Sequence, residues 1–172
     1  FFIVDAGMPH AIGPGLTLLE IMEPTDYTIH PEKYFLKREL PASKRFGGLP
    51  PEQAMKLFDC PVYTNKELTG LFRPKPELLT SCHDAAIYRL LPQSHHGYFR
   101  VQLVQIHGEW QQRPEDCFRV LFVKQGTVQI TYRTQTLFGR AGDSFFLPFS
   151  VSECRMAGQA EIAVIMPPVT ES

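Results

Sequence analysis

The sequence predicts a mainly β protein whose short antiparallel strands form a jelly roll. Thirteen phenylalanines and fifteen prolines accompany only 20% charged residues, a composition that favours strands joined by turns over a helical bundle. The second half alternates apolar and polar residues between glycine-containing turns. In addition, a turn near the amino end has a counterpart near the carboxyl end, which indicates two related β modules.

The first predicted element, residues 1–24, is a hairpin that closes an incomplete β module. An apolar strand, Phe2-Ile-Val4, enters a Gly7-Met-Pro-His10 turn, and a second apolar strand returns with Glu20. The glycine permits a backbone angle that other residues avoid, and the proline fixes the residue before the histidine. A histidine held on such a turn can present a metal ligand to the barrel interior. The alternative is that His10 is a turn residue with a solvated ring.

The second element, residues 25–84, is predicted to be a partly helical connecting region. A helix begins at the paired prolines before Glu52, because proline and a carboxylate both suit the first helical turn. Ala54 and Phe58 would then share one face. The region is too long for a simple loop and too apolar for a disordered linker.

The third element, residues 85–172, is predicted to be a carboxy-terminal jelly roll. Cys117–Lys124 forms a nearly continuous apolar strand that we expect to be buried on both faces or nearly so. The apolar alternation between Tyr98 and His107 changes phase, which predicts a β-bulge. The remaining short strands follow at near-regular spacing, as in a jelly roll.

Composition excludes several partners. The formal net charge of −1 offers no basic patch for a nucleic acid. No apolar run reaches the roughly 18 residues of a membrane span. The four cysteines form no C-x-x-C pair, so a zinc knuckle is not expected. Their even number leaves two disulfides open, but without secretory evidence we expect reduced thiols in a cytoplasmic protein. They are Cys60, Cys82, Cys117 and Cys154.

Gly142–Glu153 has the spacing G-x5-P-x-G-x2-H of the second cupin motif, with serine replacing the second glycine and Glu153 replacing histidine. When the amino-terminal segment is aligned with Gly142–Glu153, Phe2–Val4 matches Phe145–Leu147 and His10 matches Glu153. The opening Gly-Asp of the first copy would precede the chain. We therefore expect a fragment of a longer protein, or an open apolar edge covered by another subunit.

The carboxy-terminal module is predicted to be a scaffold without metal ligands. The two histidines and the glutamate of the first cupin motif have no counterpart here. Glu153 could bind a hard cation, but alone it is better explained as a solvated carboxylate. The adjacent pair His95-His96 would point to opposite faces of an extended chain. His107 is expected at the surface.

Three segments, Ala6–Gly15, Leu19–Ile21 and Glu23–His30, resemble the type I mannose-6-phosphate isomerases (phosphomannose isomerases). The resemblance is looser around Gly47-Gly-Leu49. It implies a cupin jelly-roll module plus the closing hairpin of a first cupin module. It also implies one zinc ion, with His10 matching the family's late histidine ligand. The other three ligands, a glutamine, a histidine and a glutamate, would lie before the chain begins.

The resemblance also implies two catalytic residues. Glu20 matches a glutamate of the active-site pocket, where an acid/base group is expected. The family pattern Ser/Thr-Asp-x-Thr-x-Arg ends in an arginine, and this chain keeps Thr25, Asp26 and Thr28 but has His30 at that place. Histidine supplies positive charge only when protonated and lacks a planar guanidinium. Three cations could compensate: Lys33, Lys37 and Arg38.

The implied function is a zinc-dependent aldose–ketose isomerase that interconverts mannose 6-phosphate and fructose 6-phosphate through an enediol. Its partner would be a sugar phosphate, with no nucleic acid and no membrane, and the open sheet edge could support self-association. The alternative from another class is a non-catalytic cupin used for sugar binding or as a structural module. A storage-type β dimer is a third hypothesis, supported by the fold alone.

Overall fold

The structure, a computed structural model, describes residues 1–23, 27–35, 37–92, 97–151 and 153–169. The chain divides into two compact units, Phe2–Phe72 and Arg73–Ser172. Thr25, Asp26 and the His95-His96 pair lie outside the described residues. The predicted three-part division of the chain stays a prediction.

The first unit consists of short elements. A two-residue pair, β1 (Tyr34–Phe35) and β2 (Arg38–Glu39), precedes helices α1 (Ala42–Arg45) and α2 (Pro51–Ala54), a 3₁₀ turn (Met55–Leu57) and helix α3 (Asn65–Phe72). The helix predicted after Pro50 starts there but continues as the 3₁₀ turn. Helix α3 begins with a capping box, because the Glu67 N–H donates to Thr64 Oγ1 at 3.3 Å and the Thr64 N–H donates to the Glu67 carboxylate at 2.8 Å.

The structure corrects the hairpin predicted for residues 1–24, because residues 1–23 contain no strand. The Ile3 N–H donates to the Phe72 carbonyl at 3.0 Å, and the Asp59 N–H donates to the Gly7 carbonyl at 2.8 Å. This segment thus bonds to later parts of its own unit. Apolar alternation indicates which side chains share a face, but it does not determine which backbone supplies the hydrogen bonds.

The second unit is an antiparallel jelly roll, which confirms the predicted mainly β class. Its main sheet has the order β3-β4-β5-β10-β7-β8, while β6 pairs with β10 and β9 pairs with β7. The strand β3 lies within the segment predicted to be the connecting region. The strands are β3 (Glu77–Ser81), β4 (Ala85–Arg89), β5 (Arg100–Ile106), β6 (Glu109–Gln112), β7 (Arg119–Tyr132), β8 (Gln135–Arg140), β9 (Ser144–Leu147) and β10 (Cys154–Met166).

The core of the second unit lies between alternate side chains of β5, β7 and β10. Its centre contains six fully buried residues: Val104, Ile106, Leu121, Val123, Ile162 and Val164. The intervening positions of β7 are only half-buried, so the predicted burial on both faces is partial. The bulge predicted in β5 is wrong, because β5 pairs regularly. Register shifts occur instead in the β7–β10 pairing, at Glu161/Ile162, and in the β3–β4 pairing, at Leu78/Thr80. The phase change in β5 arises because Val101 and Val104 are buried on opposite faces.

Candidate functional site

The predicted metal ligand His10 follows a tight turn in the first unit. The Met8 N–H donates to the Asp5 carbonyl at 3.2 Å, and Gly7 has a φ of +82° that favours glycine. A side chain at Gly7 would also lie 3.0 Å from the Leu57 carbonyl oxygen. The turn therefore needs a glycine at this position for two independent reasons.

The His10 ring is exposed, and its Nδ1 lies 3.0 Å from the Met8 carbonyl oxygen. A carbonyl oxygen only accepts, so Nδ1 must donate, and in the neutral ring the lone pair is then on Nε2. Metal-binding histidines commonly use this arrangement, in which a backbone carbonyl fixes the tautomer. His10 thus has the tautomer of an Nε2 ligand.

One imidazole does not make a zinc site, because zinc sites in proteins use three or four protein ligands. In the part of the chain that the structure describes, no three His, Cys, Asp or Glu side chains are grouped to hold a metal ion. The described residues therefore do not fit a complete zinc site.

The predicted acid/base residue Glu20 lies at the surface of the first unit. Within residues 1–23, His10 and Glu20 do not form an ion pair with each other. The geometry therefore does not join the two residues into one site, and their roles stay predictions.

His30 lies in a polar cluster with Glu32 and Arg45. The His30 Nδ1 atom is 3.2 Å from Glu32 Oε1, and both side chains are about half exposed. The His30 N–H donates to the Arg45 carbonyl at 2.7 Å. The Arg45 guanidinium donates to the Pro31 carbonyl and stacks on Phe46, with Cζ 4.7 Å from the ring centroid.

The pKa of Glu32 is lowered from its ordinary value. The largest cause is a hydrogen bond from its own backbone N–H; burial opposes the shift, and the hydrogen bond and charge of His30 and then the charge of Arg45 add to it. The carboxylate thus lies beside the His30 imidazole and in the field of the Arg45 guanidinium. The cluster places one permanent cation, Arg45, next to the position where the resemblance implies an arginine.

The cation beside His30 is one that the sequence analysis missed. Lys33 is instead paired with Glu39 at 3.3 Å, and Arg38 belongs to the β1–β2 pair. Arg45 reaches residues 30–32 because α1 returns the chain to them. The sequence does show a basic pair, Lys44-Arg45, before Phe46. It does not show that Arg45 contacts His30, fifteen residues earlier in the chain.

In the second unit, Glu153 lies at the start of β10 beside an open cleft of about 510 Å³. The cleft also contains two arginines, Arg133 and Arg155, and Arg155 pairs with Glu109 at 3.0 Å. Its other lining residues are Gln111, Thr131, Tyr132 and Cys154. Glu153 therefore shares the lining of this cleft with two arginines.

A buried arginine marks the interior of the second unit. Arg119 is fully buried, and its guanidinium donates to the carbonyls of Arg113 and Val151. The thiol of Cys154 donates to Gln112 Oε1 at 3.5 Å. Burial raises the pKa of this thiol, while the charge of Arg119 opposes the shift. All four cysteines are unpaired.

The comparison with protein families agrees with this architecture. The family described as "Mannose-6-phosphate isomerase, cupin domain" matches residues 92–167, which lie within the second unit. The second unit has a cupin-type jelly-roll fold, and we call it the cupin domain. The matched segment of the cupin domain excludes His10, Glu20 and His30, so the family match says nothing about those residues. No curated protein sequence matches this chain.

Several solved structures are similar to this chain. The mannose 6-phosphate isomerase of Bacillus subtilis is 18% identical, with a TM-score of 0.50 over 66% of this chain and 33% of that one. An HTH_3 family transcriptional regulator of Vibrio cholerae is 13% identical, with a TM-score of 0.43 over 51% of this chain and 52% of that one. Hazelnut (Corylus avellana) vicilin is 19% identical, with a TM-score of 0.45 over 55% of this chain and 32% of that one. This chain thus spans between a third and about half of their lengths.

Among the helices of the described residues, none combines the length and apolar character that crossing a bilayer requires.

Proposed function

We propose that this chain is part of an aldose–ketose isomerase that interconverts mannose 6-phosphate and fructose 6-phosphate. The observation that carries the proposal is the match of residues 92–167 to the cupin domain of mannose-6-phosphate isomerases. The first unit supports it through His10, whose Nδ1 contact with the Met8 carbonyl leaves Nε2 as a ligand atom. The proposal includes one zinc ion, for which His10 is one ligand, and a cytoplasmic location.

In this proposal Glu20 moves the proton between the two carbons of the substrate. Its exposed carboxylate can accept a proton from one carbon and return it to the neighbouring carbon through an enediol. His30 contributes positive charge when protonated, and Arg45 holds the backbone at residues 30 and 31 in place. The substrate is a sugar phosphate, and neither a nucleic acid nor a membrane is part of the proposal.

A second candidate is a non-catalytic cupin used for sugar binding or as a structural module. Two observations favour it: histidine replaces the arginine of the resembled family at position 30, and Glu153 replaces the histidine of the second cupin motif. In this case His10 and Glu20 are surface residues without a chemical role. Self-association through the edge of the sheet belongs to this candidate.

The two candidates are separated by assaying mannose 6-phosphate isomerisation in the intact protein that contains this chain. For the isomerase, Glu20→Gln lowers kcat by roughly a hundredfold or more, because it removes the proton-transferring group. His83→Gln is the matched control, since His83 is a 99% exposed side chain of the second unit. Absence of turnover in the wild-type protein would support the non-catalytic module instead.

A further inference from the structure

We propose that His30 and Arg45 form a subsite for the phosphate group of the sugar phosphate, an inference that rests on the proposed function. No glycine-rich phosphate loop occurs in the sequence, so cationic side chains must bind this group. His30, Glu32 and Arg45 form the local cluster that contains the required donors. We call it the His30 cluster.

Two backbone contacts fix the His30 cluster. The His30 N–H donates to the Arg45 carbonyl at 2.7 Å, and the Arg45 guanidinium donates back to the Pro31 carbonyl. Two hydrogen bonds in opposite directions hold these residues side by side. The Arg45 guanidinium and the backbone that carries the His30 imidazole are therefore positioned before a ligand arrives, and this reduces the entropic cost of binding an anion.

The Arg45 guanidinium retains unused donors. It has five N–H groups, and its one hydrogen bond within the described residues goes from Nη2 to the Pro31 carbonyl. Nε is enclosed and makes no hydrogen bond in that part of the chain. The guanidinium carbon Cζ also lies 4.7 Å from the centroid of the Phe46 ring. The donors on Nη1 are thus available to a phosphate oxygen, for which guanidinium geometry is well suited.

Glu32 is the internal competitor of this anion. Its carboxylate already faces His30 Nδ1 and lies in the field of Arg45. A phosphate monoester carries a charge of about −1.5 to −2 at pH 7, more than one carboxylate. Phosphate can therefore replace Glu32 as the partner of Arg45 and of the His30 imidazole in its protonated form. In the absence of a ligand, the His30 cluster is a small ion network that ties residues 30–32 to α1.

The test is a titration with inorganic phosphate, monitored by the NMR signals of the His30 imidazole in the intact protein. We expect a saturable shift in the wild type and at least tenfold weaker binding in Arg45→Gln. Lys44→Gln removes the neighbouring charge on the same helix and is expected to leave the affinity unchanged. If Arg45→Gln and Lys44→Gln bind phosphate with the same affinity, the proposed subsite is wrong.

Two further variants keep the test decisive if Arg45→Gln does not fold. Arg45→Lys retains the charge but not the paired donors, so we expect roughly threefold to tenfold weaker binding. Glu32→Gln removes the competitor, and we expect severalfold tighter binding. Wild-type affinity in both variants would overturn the subsite.

The subsite and the proposed function can fail separately. Phosphate binding that depends on Arg45, without isomerisation in the wild type, would reject the isomerase and retain an anion site. Isomerisation with an unchanged KM for mannose 6-phosphate in Arg45→Gln would reject the subsite and retain the isomerase. If both hold, Arg45→Gln raises KM at least tenfold and changes kcat much less.

Discussion

The two units of this chain differ in where their apolar side chains lie. In the described part of the first unit, only Phe46 and Ala54 are buried apolar residues, whereas the strands of the second unit enclose a continuous core. The predicted site residues His10, Glu20 and His30 all lie exposed in the first unit. The difference indicates that stability is concentrated in the cupin domain, while the proposed chemistry depends on a unit with little core of its own.

The largest effect on the free energy of unfolding is expected for Gly126→Ala in the cupin domain. This variant tests whether stability is concentrated there. A Cβ at Gly126 would lie only 1.9 Å from the Gln159 carbonyl oxygen, and its φ is +80°. Because the backbone must move to relieve this clash, we expect a loss of about 4 kcal/mol or more in the free energy of unfolding. Urea denaturation measures this loss.

Gly142→Ala is the matched control for Gly126→Ala. Gly142 also has a positive φ, of +96°, but a Cβ there would meet nothing within 4 Å. We expect a cost of only about 1–2 kcal/mol from backbone strain. Equal costs at the two positions would show that the close approach of β7 to β10 does not constrain the fold.

A core truncation compares the units directly. Leu121→Ala removes a fully buried side chain between β5, β7 and β10, and we expect a loss of about 2–5 kcal/mol. Leu71→Ala in α3 truncates a 54% exposed side chain of the first unit, where we expect a loss below about 1 kcal/mol. Denaturant unfolding that gave similar values for both variants would contradict the unequal distribution of stability.

A smaller, pH-dependent effect is expected from Lys124→Met. The hydrogen bond from Lys124 is the largest cause of the lowered pKa of Glu161, and Gln105 donates to the same carboxylate. A lowered folded-state pKa stabilises the protein above the ordinary value of 4.5, and this contribution is lost as pH falls through the folded-state pKa. Because Lys124 is 59% exposed, we expect a loss of about 0.5–1 kcal/mol at pH 7.

The pH profile is the check on that assignment. The difference between Lys124→Met and the wild type should shrink as pH falls below 4.5. Lys33→Met, which breaks the exposed pair with Glu39 in the first unit, is the control and should change stability less. A constant difference between pH 7 and pH 3 would assign the effect of Lys124 to packing rather than to charge.

The contrast between the units also explains how far the sequence predicted the structure. The jelly roll was predictable because alternation along β7 and β10 specifies a buried face. Arg119 was missed because a single polar residue does not disturb an apolar run. The hairpin at residues 1–24 was predicted wrongly because an apolar run does not identify the partner of its backbone; here the partners are Phe72 and Asp59.

The sequence could predict the geometry of the site only where a single short turn contains its residues. Gly7 and His10 lie within four residues, so the turn geometry and the tautomer of the ring follow from local contacts. The contact of Arg45 with residues 30 and 31 depends on the path of the chain through α1. Such contacts between distant residues leave no periodic signal in the sequence.

The most direct test of the proposed site is the zinc content of the intact protein, measured by elemental analysis in the wild type, His10→Ala and His83→Ala. The account predicts about one zinc ion per chain in the wild type and in His83→Ala, and a loss of roughly a hundredfold or more in zinc affinity in His10→Ala, since even residues that only orient a ligand contribute tenfold to a hundredfold. Zinc bound equally well by His10→Ala and the wild type would contradict it.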